Sequence, residues 1–133
     1  MEILSLICPI SRTMAEHNLF GKLAEQKACK FLEQKGYCCI EKNYCVGRAE
    51  IDLIMQRGEI LICEEVKARK TQFFGTPASF ISSAKIKRLC AAMDHYIIQK
   101  ELNVEVRFDV IECIVQQNQW IINHIPNAFY PWE

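Results

Sequence analysis

Residues 49–70, with the sequence AEIDLIMQRGEILICEEVKARK, constrain the fold more than any other part of the chain. They form two apolar runs, 49–55 and 60–69, and both runs are interrupted by charged residues. Arg57 and Gly58 lie between the runs, where a tight turn would fold them into an antiparallel pair. The pattern therefore predicts a β-hairpin that holds charged side chains within an apolar sheet.

The hairpin brings three of these charged residues to one face, because alternate residues of a strand point to the same side. Glu65 and Lys67 share a side of the second strand. Asp52 comes opposite Cys63 or, with a slightly longer loop, opposite Glu65. Either register gathers Asp52, Glu65 and Lys67 on one face and leaves Glu64 on the other, where it needs a partner or a place near an edge.

Two carboxylates and an ammonium group at the centre of a sheet are costly to desolvate unless they pair or bind a ligand. Mg²⁺, or Mn²⁺ in its place, would relieve the carboxylate repulsion, with Asp52, Glu65 and the carbonyl of Val66 as ligands. Glu25, at the border of the apolar stripe of the first helix, could add a further ligand. Lys67 could then orient a water molecule or offset charge on a phosphate, which is the chemistry of phosphodiester hydrolysis.

A purely structural interpretation of the Glu-Val-Lys unit stays open beside this one. Such triplets also form exposed cross-strand ion pairs, each worth roughly 0.2–1 kcal/mol.

The remaining chain completes a helix, three strands, a helix and two strands. The first helix is predicted from Ala15 to Lys35, and Ser82 or Ser83 is expected to cap the second. Residues 104–115 and 119–125 are predicted to form a hairpin. We expect residues 1–14 to be a leader, which is a strand, a disordered segment or the product of a misplaced start codon, and residues 15–133 to be a single domain.

The composition excludes a strong general attraction to polyanions. The 133 residues contain 16 Lys plus Arg and 16 Asp plus Glu, so any contact with nucleic acid requires a local positive patch. The chain shows neither an export signal nor a membrane-spanning stretch, and its eight cysteines lack a metal-binding spacing, which favours reduced thiols in a cytoplasmic protein without a membrane partner. The three histidines also lack a ligand-like spacing, and we predict no functional role for them.

The order of four segments resembles a known family. FGKLAEQKACKFLEQKGY, AEIDLIMQRGEILICEEVKAR, FFGTPASFISSAKIKRL and VRFDVIECI resemble the bacterial YraN-like proteins from about residue 20 to residue 129. That family is assigned to the PD-(D/E)XK nuclease superfamily and is similar in layout to archaeal Holliday-junction resolvases. The resemblance implies an α/β, restriction-endonuclease-like domain with a mixed central sheet flanked by helices. This chain departs from the family at Glu64, because the family generally has an apolar residue directly before the Glu-Val-Lys unit.

The resemblance also implies a role for each matching residue. Asp52 and Glu65 would bind the metal, Lys67 would be the catalytic lysine, and Glu25 would match the helix acid of the resolvase-like branch. The expected activity is magnesium-dependent, structure-selective cleavage of DNA that is branched or contains single strands, and a homodimer is expected by analogy. Two alternatives are a module that binds nucleic acid without cutting it and a structural protein-interaction module. The predicted nucleic-acid contacts are Arg48, Glu50, Arg69, Lys70, Lys85, Lys87 and Arg88. An alternative for Lys85, Lys87 and Arg88 is that they only form the solvent-exposed side of the second helix.

Overall fold

The strands form one mixed sheet in the order β1-β2-β3-β4-β5, and a helix packs on each face. This computed structural model describes residues 9–70 and 81–130, with side chains from Asn18 onward. In chain order, the elements within these ranges are α1 (Pro9–Gln34), β1 (Cys38–Val46), β2 (Ala49–Arg57), β3 (Ile60–Arg69), α2 (Ser83–Lys100), β4 (Glu105–Gln116) and β5 (Gln119–Ile125).

The hairpin of β2 and β3 has the second of the two predicted registers. Arg57 pairs with Ile60 and Leu53 pairs with Glu64, so the loop consists of Gly58 and Glu59. Gly58 has a φ of 61°, a left-handed conformation that glycine adopts without a steric penalty. The ladder ends at the pair of Leu53 with Glu64, so Asp52 and Glu65 are the residues directly beyond its last pair.

The parallel pairing of β3 with β4 explains why α2 lies between them in the chain, since parallel strands need a crossover connection. The Ser82 side chain accepts a hydrogen bond from the Lys85 backbone N–H at 3.1 Å, which caps the start of α2. Ser82 is one of the two predicted caps. This cap fixes the first turn of α2, which carries Lys85.

Two apolar cores lie on opposite faces of the sheet. On one face, α1 packs Ala24, Ala28 and Leu32 against the sheet, and on the other face α2 packs Leu89 and Met93. Because both faces are covered, β2 carries consecutive buried apolar residues at positions 53–55. The predicted α/β class with a mixed sheet flanked by helices is confirmed, and the arrangement is consistent with a restriction-endonuclease-like fold.

The first helix begins at Pro9 rather than at Ala15, within the segment expected to be a leader. Proline is favoured in the first turn of a helix because its missing N–H would have no helical partner there. Residues 1–8 lie outside the described residues, and the nature of the leader stays a prediction. Neither described helix is long and apolar enough to cross a membrane. The cytoplasmic location also stays a prediction.

Candidate functional site

Asp52 and Glu65 meet at the end of the ladder between β2 and β3. The Asp52 side chain accepts a hydrogen bond from the backbone N–H of Val66 at 2.9 Å, which holds this carboxylate beside β3. Burial and then the nearby Glu65 carboxylate raise the pKa of Asp52 to about 8, although the Val66 hydrogen bond acts in the opposite direction. The two acids therefore repel each other in a largely desolvated place.

Glu65 has one crowded oxygen and one without a partner. Its Oε2 accepts a hydrogen bond from Lys85 Nζ and lies 3.6 Å from Lys67 Nζ. Its Oε1 is buried and has no hydrogen-bond partner among the described residues. Carboxylate oxygens are the ligands that Mg²⁺ and Mn²⁺ prefer, so this oxygen and the neighbouring Asp52 carboxylate could hold a divalent ion.

Asn43 connects Glu25 and Glu50 at the rim of this region. Its backbone has a φ of 52°, and its side-chain NH₂ donates to Glu25 Oε1 at 3.1 Å and to Glu50 Oε2 at 2.8 Å. The Glu25 charge contributes to raising the pKa of Asp52, which places this helix acid on the side of the site. Glu50 is exposed, so it lies at the edge of the cluster rather than within it.

The predicted nucleic-acid contacts fall into two groups. Arg48, Lys85 and Arg88 line a cavity of about 270 Å³ together with Glu50 and Asp52. The other group lies outside this cavity lining. Arg69 forms an ion pair with Glu112 at 3.1 Å, and Lys70 Nζ lies 5.5 Å from the centre of the Phe20 ring. Lys87 is exposed on α2.

A larger cavity of about 480 Å³ lies between α2 and β4. Its lining includes Met93, Phe108 and Tyr130, and none of the acids of the predicted metal site. The smaller cavity is the candidate functional site because Asp52 and Lys85 line it.

A second polar cluster lies on the α1 face and provides the partner that Glu64 needs. His124 Nε2 lies 2.9 Å from Glu64 Oε2 and 2.8 Å from Asp109 Oδ2. Arg107 pairs with Asp109 at 2.9 Å and also donates to the hydroxyl of Tyr37. Glu64 and Asp109 are both 0 % exposed. This cluster therefore combines two buried carboxylates with a guanidinium and an imidazole.

The pKa shifts in this cluster favour a protonated imidazole. Burial alone would lower the pKa of His124, but the hydrogen bonds with Asp109 and Glu64 outweigh it and raise the pKa to about 9. Burial acts to raise the pKa of Asp109, and its hydrogen bonds with His124 and Arg107 lower it overall. Burial raises the pKa of Glu64 to about 7, although the His124 hydrogen bond opposes this shift.

The ligand atoms of Glu64, Asp109 and His124 all lie within 4.8 Å of one another, so this group could hold a metal ion. A metal ion would have to displace the proton from an imidazole whose pKa is raised. Protonated His124 and Arg107 already balance the two carboxylates. The charge balance thus supports a structural ion network here.

Sequence reasoning missed His124 as a partner of Glu64. The available signals were the position of Glu64 on the face opposite the predicted site and the alternation of β5. His124 pairs with Ile111 on β4. This register brings the His124 ring within hydrogen-bond distance of Asp109 on β4 and Glu64 on β3.

The sequence model of Uncharacterised protein family UPF0102 matches residues 24–113, which include every acid of the candidate site. The chain belongs to the UPF0102 family. The YraN-like resemblance of the sequence is thereby confirmed.

Several UPF0102 proteins are similar to this chain over nearly their whole length. A UPF0102 protein of Flavobacterium psychrophilum is 42% identical over 117 residues, which cover 88% of this chain and 98% of that protein. One from Christiangramia forsetii is 44% identical with the same coverage. One from Dictyoglomus turgidum is 38% identical, over 82% of this chain and 95% of that protein. The names of these relatives state no activity.

Proposed function

We propose that this protein is a magnesium-dependent endonuclease that hydrolyses phosphodiester bonds in DNA, with a preference for branched or single-strand-containing substrates. The observation that supports this most is the meeting of Asp52 and Glu65 beside two lysines, with one buried Glu65 oxygen that has no partner. Manganese is the expected substitute for magnesium.

In this proposal, Asp52 and Glu65 hold the ion, with the Val66 carbonyl and Glu25 as further ligands. A divalent ion bound there supplies Lewis acidity for a phosphoryl oxygen and for a water nucleophile. The Val66 N–H keeps the Asp52 carboxylate in place beside Glu65. Because Asp52 has a raised pKa, it must lose its proton when the ion binds, so binding strengthens as the pH rises.

Lys67 has the role of stabilising negative charge near the reacting phosphate. Its ammonium group lies 3.6 Å from Glu65 Oε2, and its side chain is 24% exposed, so it can also reach towards solvent. From this position it can orient an attacking water or offset the charge that develops on the phosphate.

The cavity beside Asp52 is the proposed position for the DNA backbone. Arg48 and Arg88 line this cavity and have no ion-pair partner among the residues that the structure describes. Unpaired arginines bind phosphate oxygens well because the guanidinium donates two parallel hydrogen bonds. They supply the local positive patch that a chain of zero formal net charge needs.

A cleavage screen tests this function. Linear, flapped and four-way DNA are incubated with the purified protein in Mg²⁺, in Mn²⁺ and in a chelator. We expect metal-dependent cleavage that is strongest on the branched substrates and that is lost in Asp52→Asn and Lys67→Met. Lys30→Met, an exposed change on α1, is the matched control and should cleave as the wild type does. Cleavage that survives both site substitutions would refute the assignment.

The second candidate is a module that binds nucleic acid without cutting it. It is favoured by the two lysines that neutralise Glu65 and by the Asp52 pKa of about 8, because the polar centre can then persist at neutral pH without an ion. Isothermal titration separates the candidates: no binding of Mg²⁺ or Mn²⁺ together with retained DNA binding would favour the module. No DNA binding at low salt would point to a protein-interaction module.

A further inference from the structure

Lys85 and Lys67 reach the same oxygen of Glu65 from two different elements. Lys67 is two residues from Glu65 on β3 and lies 3.6 Å from Oε2, whereas Lys85 comes from the first turn of α2 and hydrogen-bonds to Oε2 directly. The Glu65 side chain is only 3% exposed, so little water competes for this oxygen. A divalent ion on either Glu65 oxygen must therefore displace or repel the Lys85 ammonium group, because both oxygens belong to one poorly solvated carboxylate.

The Lys85 side chain can also occupy a second position, away from Glu65. Its side chain is 37% exposed, and it lines the 270 Å³ cavity that Arg48 and Arg88 share. Rotation of a long lysine side chain on a capped helix needs no backbone movement. Lys85 can thus leave Glu65 and remain in the same cavity as the two arginines.

We propose that Lys85 competes with the divalent ion for Glu65 and so couples ion binding to the binding of a DNA phosphate. This inference rests on the proposed function. The ion frees Lys85 from Glu65, and Lys85 then joins Arg48 and Arg88 as a third positive group for the phosphate. Coupling of two binding events is reciprocal, so a phosphate in the cavity draws Lys85 from Glu65 and tightens ion binding.

The size of the competition follows from electrostatics. Two positive groups at one poorly solvated carboxylate repel each other far more than they would in water. The substitution Lys85→Met keeps the approximate length of the side chain and removes its charge. We expect it to tighten Mn²⁺ binding by roughly tenfold. Two charges a few ångströms apart in a protein interact by more than the free energy that corresponds to a tenfold change in affinity.

The test is isothermal titration of Mn²⁺ into the full-length protein at pH 8, without DNA. Four proteins are compared: the wild type, Lys85→Met, Lys85→Arg and the control Lys30→Met, each checked for a cooperative thermal transition. We expect tighter binding in Lys85→Met, and an affinity near that of the wild type in Lys85→Arg and Lys30→Met. A residue with only a structural role would weaken ion binding when it is replaced by methionine, so the direction of the change separates the two roles.

The outcomes distinguish this inference from the proposed function. Tighter Mn²⁺ binding in Lys85→Met supports the competition even if no DNA is cleaved. Unchanged or weaker binding in a folded Lys85→Met protein, beside a wild type that binds Mn²⁺, would overturn the competition and leave the endonuclease proposal standing. If neither protein binds Mn²⁺, both proposals are wrong.

Discussion

Asp52→Asn should stabilise the protein while it removes an ion ligand. The Asp52 carboxyl has a pKa of about 8 in the folded protein against 3.8 in a solvated chain. The folded state therefore binds this proton more tightly than the unfolded state, and the free energy of unfolding falls as the pH rises from 3.8 through 8. Asparagine is neutral at every pH, and its carbonyl oxygen can still accept the Val66 hydrogen bond.

The magnitude follows from the width of this pH range. Each pH unit between 3.8 and 7 lowers the contribution of Asp52 by about 1.4 kcal/mol, which sums to about 4 kcal/mol at pH 7 and to less than about 2 kcal/mol at pH 5. The substitution also removes the repulsion between Asp52 and Glu65. We therefore expect Asp52→Asn to gain about 2–4 kcal/mol at pH 7 and about 1 kcal/mol at pH 5.

The assay is urea denaturation at pH 5, 7 and 8.5 in a chelator, followed by the same series in Mn²⁺. Mn²⁺ should stabilise the wild type and leave Asp52→Asn nearly unchanged, because a ligand that binds the folded state raises its stability. Glu50→Gln, an exposed change on the same strand, is the control and should stay within about 0.5 kcal/mol of the wild type. Equal stability of Asp52→Asn and the wild type at both pH 5 and pH 7 would refute the reasoning.

Four further results are expected. His124→Ala should lower the free energy of unfolding by about 3–5 kcal/mol in urea denaturation, because it leaves two buried carboxylates without their shared cation. Glu64→Val should change it by less than about 1 kcal/mol, since an apolar residue removes the burial cost together with the hydrogen bond; a larger loss than in His124→Ala would contradict this order. The stabilisation from His124 is complete below pH 6.5 and is lost as the pH rises through about 9, so thermal denaturation should show the wild type and His124→Ala converging over that range. Lys67→Met should reduce magnesium-dependent cleavage at least about a hundredfold in the cleavage screen, because the charge that develops on the phosphate then lacks its ammonium partner.

Local sequence patterns predicted most of the fold. Alternation and turn residues indicated both strands of the β2–β3 hairpin, and the candidate caps included Ser82, because these signals act over a few residues. The face shared by Glu65 and Lys67 also follows from strand geometry, and these two side chains do contact each other. Only the position of the two-residue turn chose between the two registers, since a turn at residues 58 and 59 instead of 57 and 58 changes which residue faces Asp52.

Contacts between distant parts of the chain were beyond the sequence. The parallel partner of β3 and the approach of Lys85 to Glu65 depend on where α2 carries the chain after residues 71–80, which lie outside the described ranges. The ion pair of Arg69 with Glu112 likewise depends on the β3–β4 register. No local pattern encodes these distances.

Glu64 illustrates the division between the two kinds of information. Alternation alone determined that Glu64 faces away from Asp52, Glu65 and Lys67, and burial of a carboxylate requires a partner. Which partner it has was decided by the sheet, since β4 and β5 bring Asp109 and His124 to Glu64 from 45 and 60 residues away in the chain. The sequence therefore determined the faces of the strands and the groups that need partners, whereas the tertiary structure decided the pairings, because strand order and register set the distances on which charge interactions depend.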